Sequence, residues 1–215
     1  RGSGARVRRG GRQRVVRTVR AFFDARGFLE VETPILVPSP GMEPHLFAFE
    51  TELVGPDSST ARRYLHTSPE YAMKKLLGAG SGSIYQLARV FRNGEQSNLH
   101  APEFTMLEWY RQPGELEALM DDVIALVAAV DDALNPDLER VWRVRSVDMA
   151  GAFAAADLPD PLPIADPAAL ARALGVRAAD DDGWDDVFFR GFLEKVEPTF
   201  GADELVIVSG WPASM

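Results

Sequence analysis

Two segments of alternating, β-rich sequence, residues 84–92 and 103–111, are separated only by a polar stretch from Asn93 to Pro102. This pairing constrains the fold more than any other feature of the chain. Segments of this length with period-2 alternation read as strands, and a single intervening loop makes them antiparallel neighbours in a long hairpin. The connection is well beyond a two-residue turn, so it has room to carry a site. Helix-period sequence stands on both sides. Residues 12–26 put Val15, Val19, Phe22 and Phe23 on one stripe with arginines opposite, ending at Gly27, and residues 115–134 repeat the pattern with Leu116, Leu119, Val123, Leu126, Val127 and Val130. Strands and helices in this order indicate an α+β fold.

The remaining elements are shorter. Residues 28–36 alternate Leu29, Val31 and Thr33 against Glu30 and Glu32 up to Pro34, a half-buried strand whose proline suits an edge or an interface. A break at Ser39-Pro40-Gly41 precedes a strand at 46–53 and a turn at 55–59. Ser68 as N-cap, Pro69 at the first helical position and Glu70 in the first turn open another helix. Beyond Asn135-Pro136, helices are expected at 168–174 and 187–196 and a buried strand at 204–209.

Composition narrows the chemistry. The chain of 215 residues has no cysteine, which removes thiolate nucleophiles, disulfides and Cys-based zinc sites, and its three histidines (His45, His66, His100) are scattered singly. No metal site is expected from these residues. No apolar run approaches the ~20 residues that cross a bilayer, so no membrane role is expected and the cytoplasm is the expected compartment. The net charge of −9 is uneven: eight of the 23 basic residues are arginines within the first 20 positions, leaving 15 against all 32 acidic residues in the rest. An acidic body is a poor surface for a nucleic-acid backbone. Residues 1–11 read as a frayed basic segment and 12–215 as one domain.

Because side chains alternate along a strand, Phe104, Met106, Glu108 and Tyr110 share one face, with Arg92 at the mouth of the preceding strand. A guanidinium binds phosphate or carboxylate, an aromatic ring stacks a base, and Glu with Tyr holds an ammonium. That set suits the joining of ATP to an amino acid. Taken singly, each has a plainer reading: Arg92 as a surface or salt-bridge arginine, Phe104 as core, and Ser68-Pro69-Glu70 as an ordinary helix start.

Together, in order, they resemble a family. Gly27-Phe28-Leu29-Glu30-Val31-Glu32-Thr33-Pro34 resembles motif 1 of the class II aminoacyl-tRNA synthetases, which builds the dimer interface, and Phe91-Arg92-Asn93 followed by Pro102-Glu103-Phe104-Thr105-Met106-Leu107-Glu108-Trp109-Tyr110 resembles motif 2 of the lysine-type enzymes. Thr67-Ser68-Pro69-Glu70-Tyr71, the phrase from Thr105 to Arg111 and Pro212-Ala213-Ser214 are most similar to the ligases that attach lysine to elongation factor P. The resemblance implies the class II catalytic fold, a mainly antiparallel sheet flanked by helices, incomplete at its C-terminus because motif 3 is not found. It implies Arg92 as the catalytic residue on the α-phosphate of ATP and the substrate carboxylate. Phe104 would lie on the adenine, with Asn93, Gly94 and Ala101 at the remaining nucleotide contacts. Ser68, Pro69, Glu70, Glu108 and Tyr110 would surround lysine or β-lysine, and Pro34 would lie in a homodimer interface. ATP and Mg²⁺ are the implied cofactors, and elongation factor P is the implied partner in preference to tRNA. Two positions depart from the pattern: the family's glutamate is Gly94, with Glu95 beside it, and its asparagine is Ala101. Three functions fit: a lysine ligase acting on elongation factor P, a lysyl-tRNA synthetase core, and a non-catalytic synthetase-like binding module. The isolated segment is expected to be inactive.

Overall fold

Four aromatic side chains that the sequence disperses over 87 positions meet around Phe23. Its ring stacks on Tyr85 at 4.8 Å, meets Phe28 edge-on at 5.1 Å and lies 5.5 Å from Trp109. The computed structural model describes residues 3–41, 46–94, 100–138 and 142–212, with side chains from residue 10 onward. The chain divides into two units, Arg1–Pro136 and Asp137–Met215.

In the first unit, helix α1 (Ser3–Asp24) buries Val19, Phe22 and Phe23 as its stripe requires, and it begins well before residue 12. Strand β1 (Leu29–Glu30) lies parallel to β5 (Ile84–Phe91), and β5 pairs antiparallel with β6 (Glu103–Tyr110), giving a mixed sheet in the order β1-β5-β6. The expected hairpin is therefore present, with Gln86 opposite Glu108 and Val90 opposite Phe104.

The single strand expected over 28–36 is two short ladders. β1 is followed by an extended turn through Thr33 and Pro34 and then β2 (Leu36–Val37). Of the face expected to turn inward, Thr33 is buried, but Leu29 is 57% exposed and Phe28 is buried in its place. Thr33 is drawn inward because its hydroxyl donates to Gln86 Oε1 at 3.0 Å. A second sheet, β2-β4-β3, is made with β3 (Phe49–Val54) and β4 (Thr60–Leu65), the latter not anticipated. The turn between β3 and β4 is closed by Asp57, whose carboxylate accepts from the Ser59 hydroxyl at 2.6 Å.

Helix α2 (Glu70–Gly78) is entered through Pro69, already helical, and Ser68 Oγ accepts from the Glu70 N–H at 3.1 Å. The serine hydroxyl thus holds the first turn, but the N-cap position falls on Pro69 and not on Ser68, and Glu70 and not Pro69 is the first helical residue. Helix α3 (Leu116–Leu134) lies against α1 with Leu126 and Val130 turned inward as expected, but the start of the stripe departs from the expectation: Leu116 and Leu119 are exposed and Asp122 is buried. The cause is an ion pair. Arg111, just past β6, donates to both Asp122 oxygens at 2.8 and 2.7 Å, and Arg26 stands 3.8 Å away.

The second unit pairs β7 (Arg143–Asp148) in parallel with β8 (Glu204–Ser209). β8 is where it was expected, but half-buried along its length rather than buried. Helices α4 (Met149–Ala154), α5 (Pro167–Leu174) and α6 (Trp184–Gly191) enclose Phe153, Leu170, Leu174 and Phe188, with a π-helical turn over Phe192–Val196. α4 and β7 were not anticipated. α4 and α5 are capped by the Asp148 and Asp166 carboxylates, each accepting a backbone N–H at 2.7 Å. At Gly191 a Cβ would stand 2.5 Å from Leu174 Cδ1, so a larger residue there would require the Leu174 side chain to move.

Candidate active site

The site is assembled on one face of β6 and on the start of α2. Glu108 is its centre. Tyr110 donates its hydroxyl hydrogen to Glu108 Oε1 at 2.7 Å, and Ser68 Oγ donates to Glu108 Oε2 at 2.9 Å. Each carboxylate oxygen thus has one neutral hydroxyl partner and keeps acceptor capacity for a further donor. Burial, and next the bond to Glu108, push the Tyr110 phenol far above its ordinary value, so it stays a neutral donor throughout the working range.

Ser68 links the sheet to the helix. One oxygen donates to Glu108 and accepts from the Glu70 N–H, which sets the α2 start relative to β6. Pro69 is buried in this corner and fixes the entry to the helix. Glu70 is half-buried; its Oε1 accepts from Lys74 Nζ, and its charge acts on Tyr110 as well. Two carboxylates, two hydroxyls and one ammonium therefore converge. Carboxylates flanked by hydroxyls offer the acceptors that an ammonium group requires.

At the other end of β6, the Arg92 guanidinium carbon lies 5.3 Å from the centre of the Phe104 ring. Arg92 N–H donates to the Pro102 carbonyl at 2.9 Å, which closes the neck of the loop, and Asn93 N–H donates to the Phe47 carbonyl at 2.7 Å. Phe104 and Glu108 lie on the same face of the strand, so the Arg92–Phe104 pair and the carboxylate–hydroxyl cluster follow one another along one surface.

Of the residues singled out from the sequence, Ser68, Glu70, Glu108 and Tyr110 are brought together, and Arg92 and Phe104 form a pair. Asn93, Gly94 and Ala101 are exposed at the loop neck. Gly94 has φ +83°, in the left-handed region that glycine favours, so a glutamate here would strain the backbone. Pro34 is exposed on the turn between β1 and β2, apart from this constellation. His45, Glu95 and Ala213-Ser214 lie outside the described residues. Lys74 was missed, although its position one helical turn after Glu70 was visible as an i, i+4 pair. Arg111 and Asp122 were missed too, and no local signal pairs them.

The family described as tRNA synthetases class II (D, K and N) matches residues 9–180. The chain is 40% identical over 211 residues to the elongation factor P--(R)-beta-lysine ligase of Pectobacterium atrosepticum, covering 94% of this chain and 62% of that protein. It is 39% identical over 206 residues to the enzyme of the same name from Actinobacillus succinogenes, covering 94% and 61%. With the ligase of that name from Proteus mirabilis it shares 50% identity over 120 residues, 55% of this chain and 37% of the other. The chain thus spans about three fifths of the length of the first two relatives. On the strength of this match and of the mixed sheet and helices that carry it, the chain belongs to the class II tRNA synthetases of the D, K and N group.

Proposed function

We propose that this chain carries the amino-acid-activating site of an ATP-dependent ligase that converts lysine or β-lysine to its adenylate and transfers it to a lysine of elongation factor P. The observation that carries the reading is the Glu108 carboxylate held between the Ser68 and Tyr110 hydroxyls on the strand that begins beside Arg92 and Phe104. The ammonium of the lysine side chain binds Glu108 and Tyr110, and the other amine meets Glu70 and Ser68. Phe104 takes the adenine. Arg92 places its charge between the substrate carboxylate and the α-phosphate, with Asn93, Gly94 and Ala101 bordering the nucleotide.

The carboxylate oxygen attacks the α-phosphorus and pyrophosphate leaves; the amine of the acceptor lysine then attacks the carbonyl and AMP leaves. The chain contributes orientation and a fixed positive charge, the two strongest sources of rate enhancement open to an enzyme that forms no covalent intermediate. Mg²⁺ is part of the same reading. Among the described residues no group of three or more His, Cys, Asp or Glu side chains is placed to hold a metal, so no step is assigned to it.

A homodimer through the β1–β2 segment accompanies the proposal, supported by the exposure of Leu29 (57%), Ile35 (39%) and Leu36 (42%) around Pro34. The cytoplasm is the proposed compartment, where elongation factor P is met. Among the described residues no helix is long and apolar enough to cross a membrane.

The test supplies labelled lysine or β-lysine, ATP and Mg²⁺ to the full-length protein with either elongation factor P or total tRNA. Label on elongation factor P is expected. Label on tRNA alone would make the protein a lysyl-tRNA synthetase, and label on neither would make it a binding module.

A further inference from the structure

The Glu70 carboxylate already holds a cation. Lys74 lies one turn further along α2, and its Nζ donates to Glu70 Oε1. The bond to Glu70, then the charge of Glu70 and more weakly that of Glu108, raise the Lys74 pKa, so Lys74 lies in the field of both carboxylates of the amine site. Its head group is a primary ammonium, as is the substrate amine assigned to Glu70. Both need the same acceptor geometry.

Building on the assignment of Glu70 to a substrate amine, we propose that Lys74 is an intramolecular competitor for that amine. Its ammonium occupies Glu70 when the site is empty, and binding exchanges one ammonium for the other. Two features favour exchange over permanent pairing. Lys74 is 58% exposed, so its displaced ammonium is received by water. Glu70 is only 34% exposed, so its carboxylate is served by a cationic partner whichever ammonium supplies it. The ion pair keeps the half-buried carboxylate satisfied between turnovers, and its strength subtracts from the affinity for the amino acid.

The test is a KM series in the full-length protein. Lys74→Met and Lys74→Gln, both compatible with the exposed face of a helix, are expected to lower KM for the amino acid about two- to fivefold while KM for ATP stays put, the range an exposed ion pair accounts for. Lys74→Arg, which keeps the pair, should return KM towards the starting value. 6-Aminohexanoate, which lacks the amine assigned to Glu70, should inhibit wild-type and Lys74→Met protein equally. An unchanged or raised KM in Lys74→Met overturns the proposal, as does an equal gain in affinity for 6-aminohexanoate, which would mark a general charge effect. Glu70→Gln separates the two layers. If it raises KM while Lys74→Met has no effect, the competition fails and the amine assignment stands; if it leaves KM unchanged, both fall.

Discussion

Replacing Asp122 tests whether the ion cluster behind β6 holds the hairpin in place. Its side chain is 5% exposed, and both oxygens accept from Arg111, whose guanidinium also lies 5.0 Å from the Phe28 ring. Removing one partner of a buried pair costs ~3–5 kcal/mol, because the other charge is left without compensation. Arg111 retains 27% exposure and its stacking on Phe28, so part of that penalty is relieved by water. Arg26, 3.8 Å from Asp122 and 37% exposed, adds at most the ~1 kcal/mol of a surface pair. The expected loss for Asp122→Ala is therefore about 2–3 kcal/mol, within the ~5–15 kcal/mol that ordinary proteins have in hand. Urea unfolding of Asp122→Ala, Arg111→Ala and the double variant measures it, with a coupling of about 1.5 kcal/mol or more expected between the two sites. Because Arg111 directly follows Tyr110, Asp122→Ala should also raise KM for the amino acid. A coupling below ~0.5 kcal/mol, the level of independent sites, would refute the account of why Asp122 is turned inward.

Arg92→Ala should reduce lysine-dependent exchange of pyrophosphate into ATP by about 10²–10³ with the fold retained by circular dichroism, the usual cost of one preorganised charged donor. Tyr110→Phe removes one of the two hydroxyls on Glu108 and should raise KM for the amino acid about tenfold, as a hydrogen bond to a charged group requires, with KM for ATP unmoved. Asp182 is held at about 2, below its ordinary 3.8, first by its hydrogen bond from Arg190 and then by the Ala179 N–H. Its folded pKa is depressed, so its contribution to the second unit is present above pH ~4 and lost as pH falls towards 2. Thermal unfolding of Asp182→Asn should therefore be less sensitive to pH in that window than the unaltered protein.

What was legible in the sequence follows from how local each feature is. The β5–β6 hairpin needs only two alternating segments and one loop, and its register then places Phe104 and Glu108 on one face. The α1 stripe is equally local. β4 escaped because Arg62 and Arg63 sit side by side on a largely solvated ribbon, where no face has to be apolar. β7, with Arg143 and Arg145, escaped likewise; both arginines are used by Glu204 of its parallel partner, a contact made across 59 or more residues of chain. The same rule divides the site. Glu108 and Tyr110 share a strand and Glu70 and Lys74 a helix turn, so their neighbourhoods were readable, but the bond from Ser68 to Glu108 joins the two elements and depends on tertiary structure. Asp122 is the strongest case. An acidic residue in an amphipathic helix reads as solvent-facing, and only the arrival of Arg111 from the end of β6 turns it inward. The candidate side chains were thus easier to place than their support, because they lie on two short continuous segments and the support is built between elements that the sequence keeps apart.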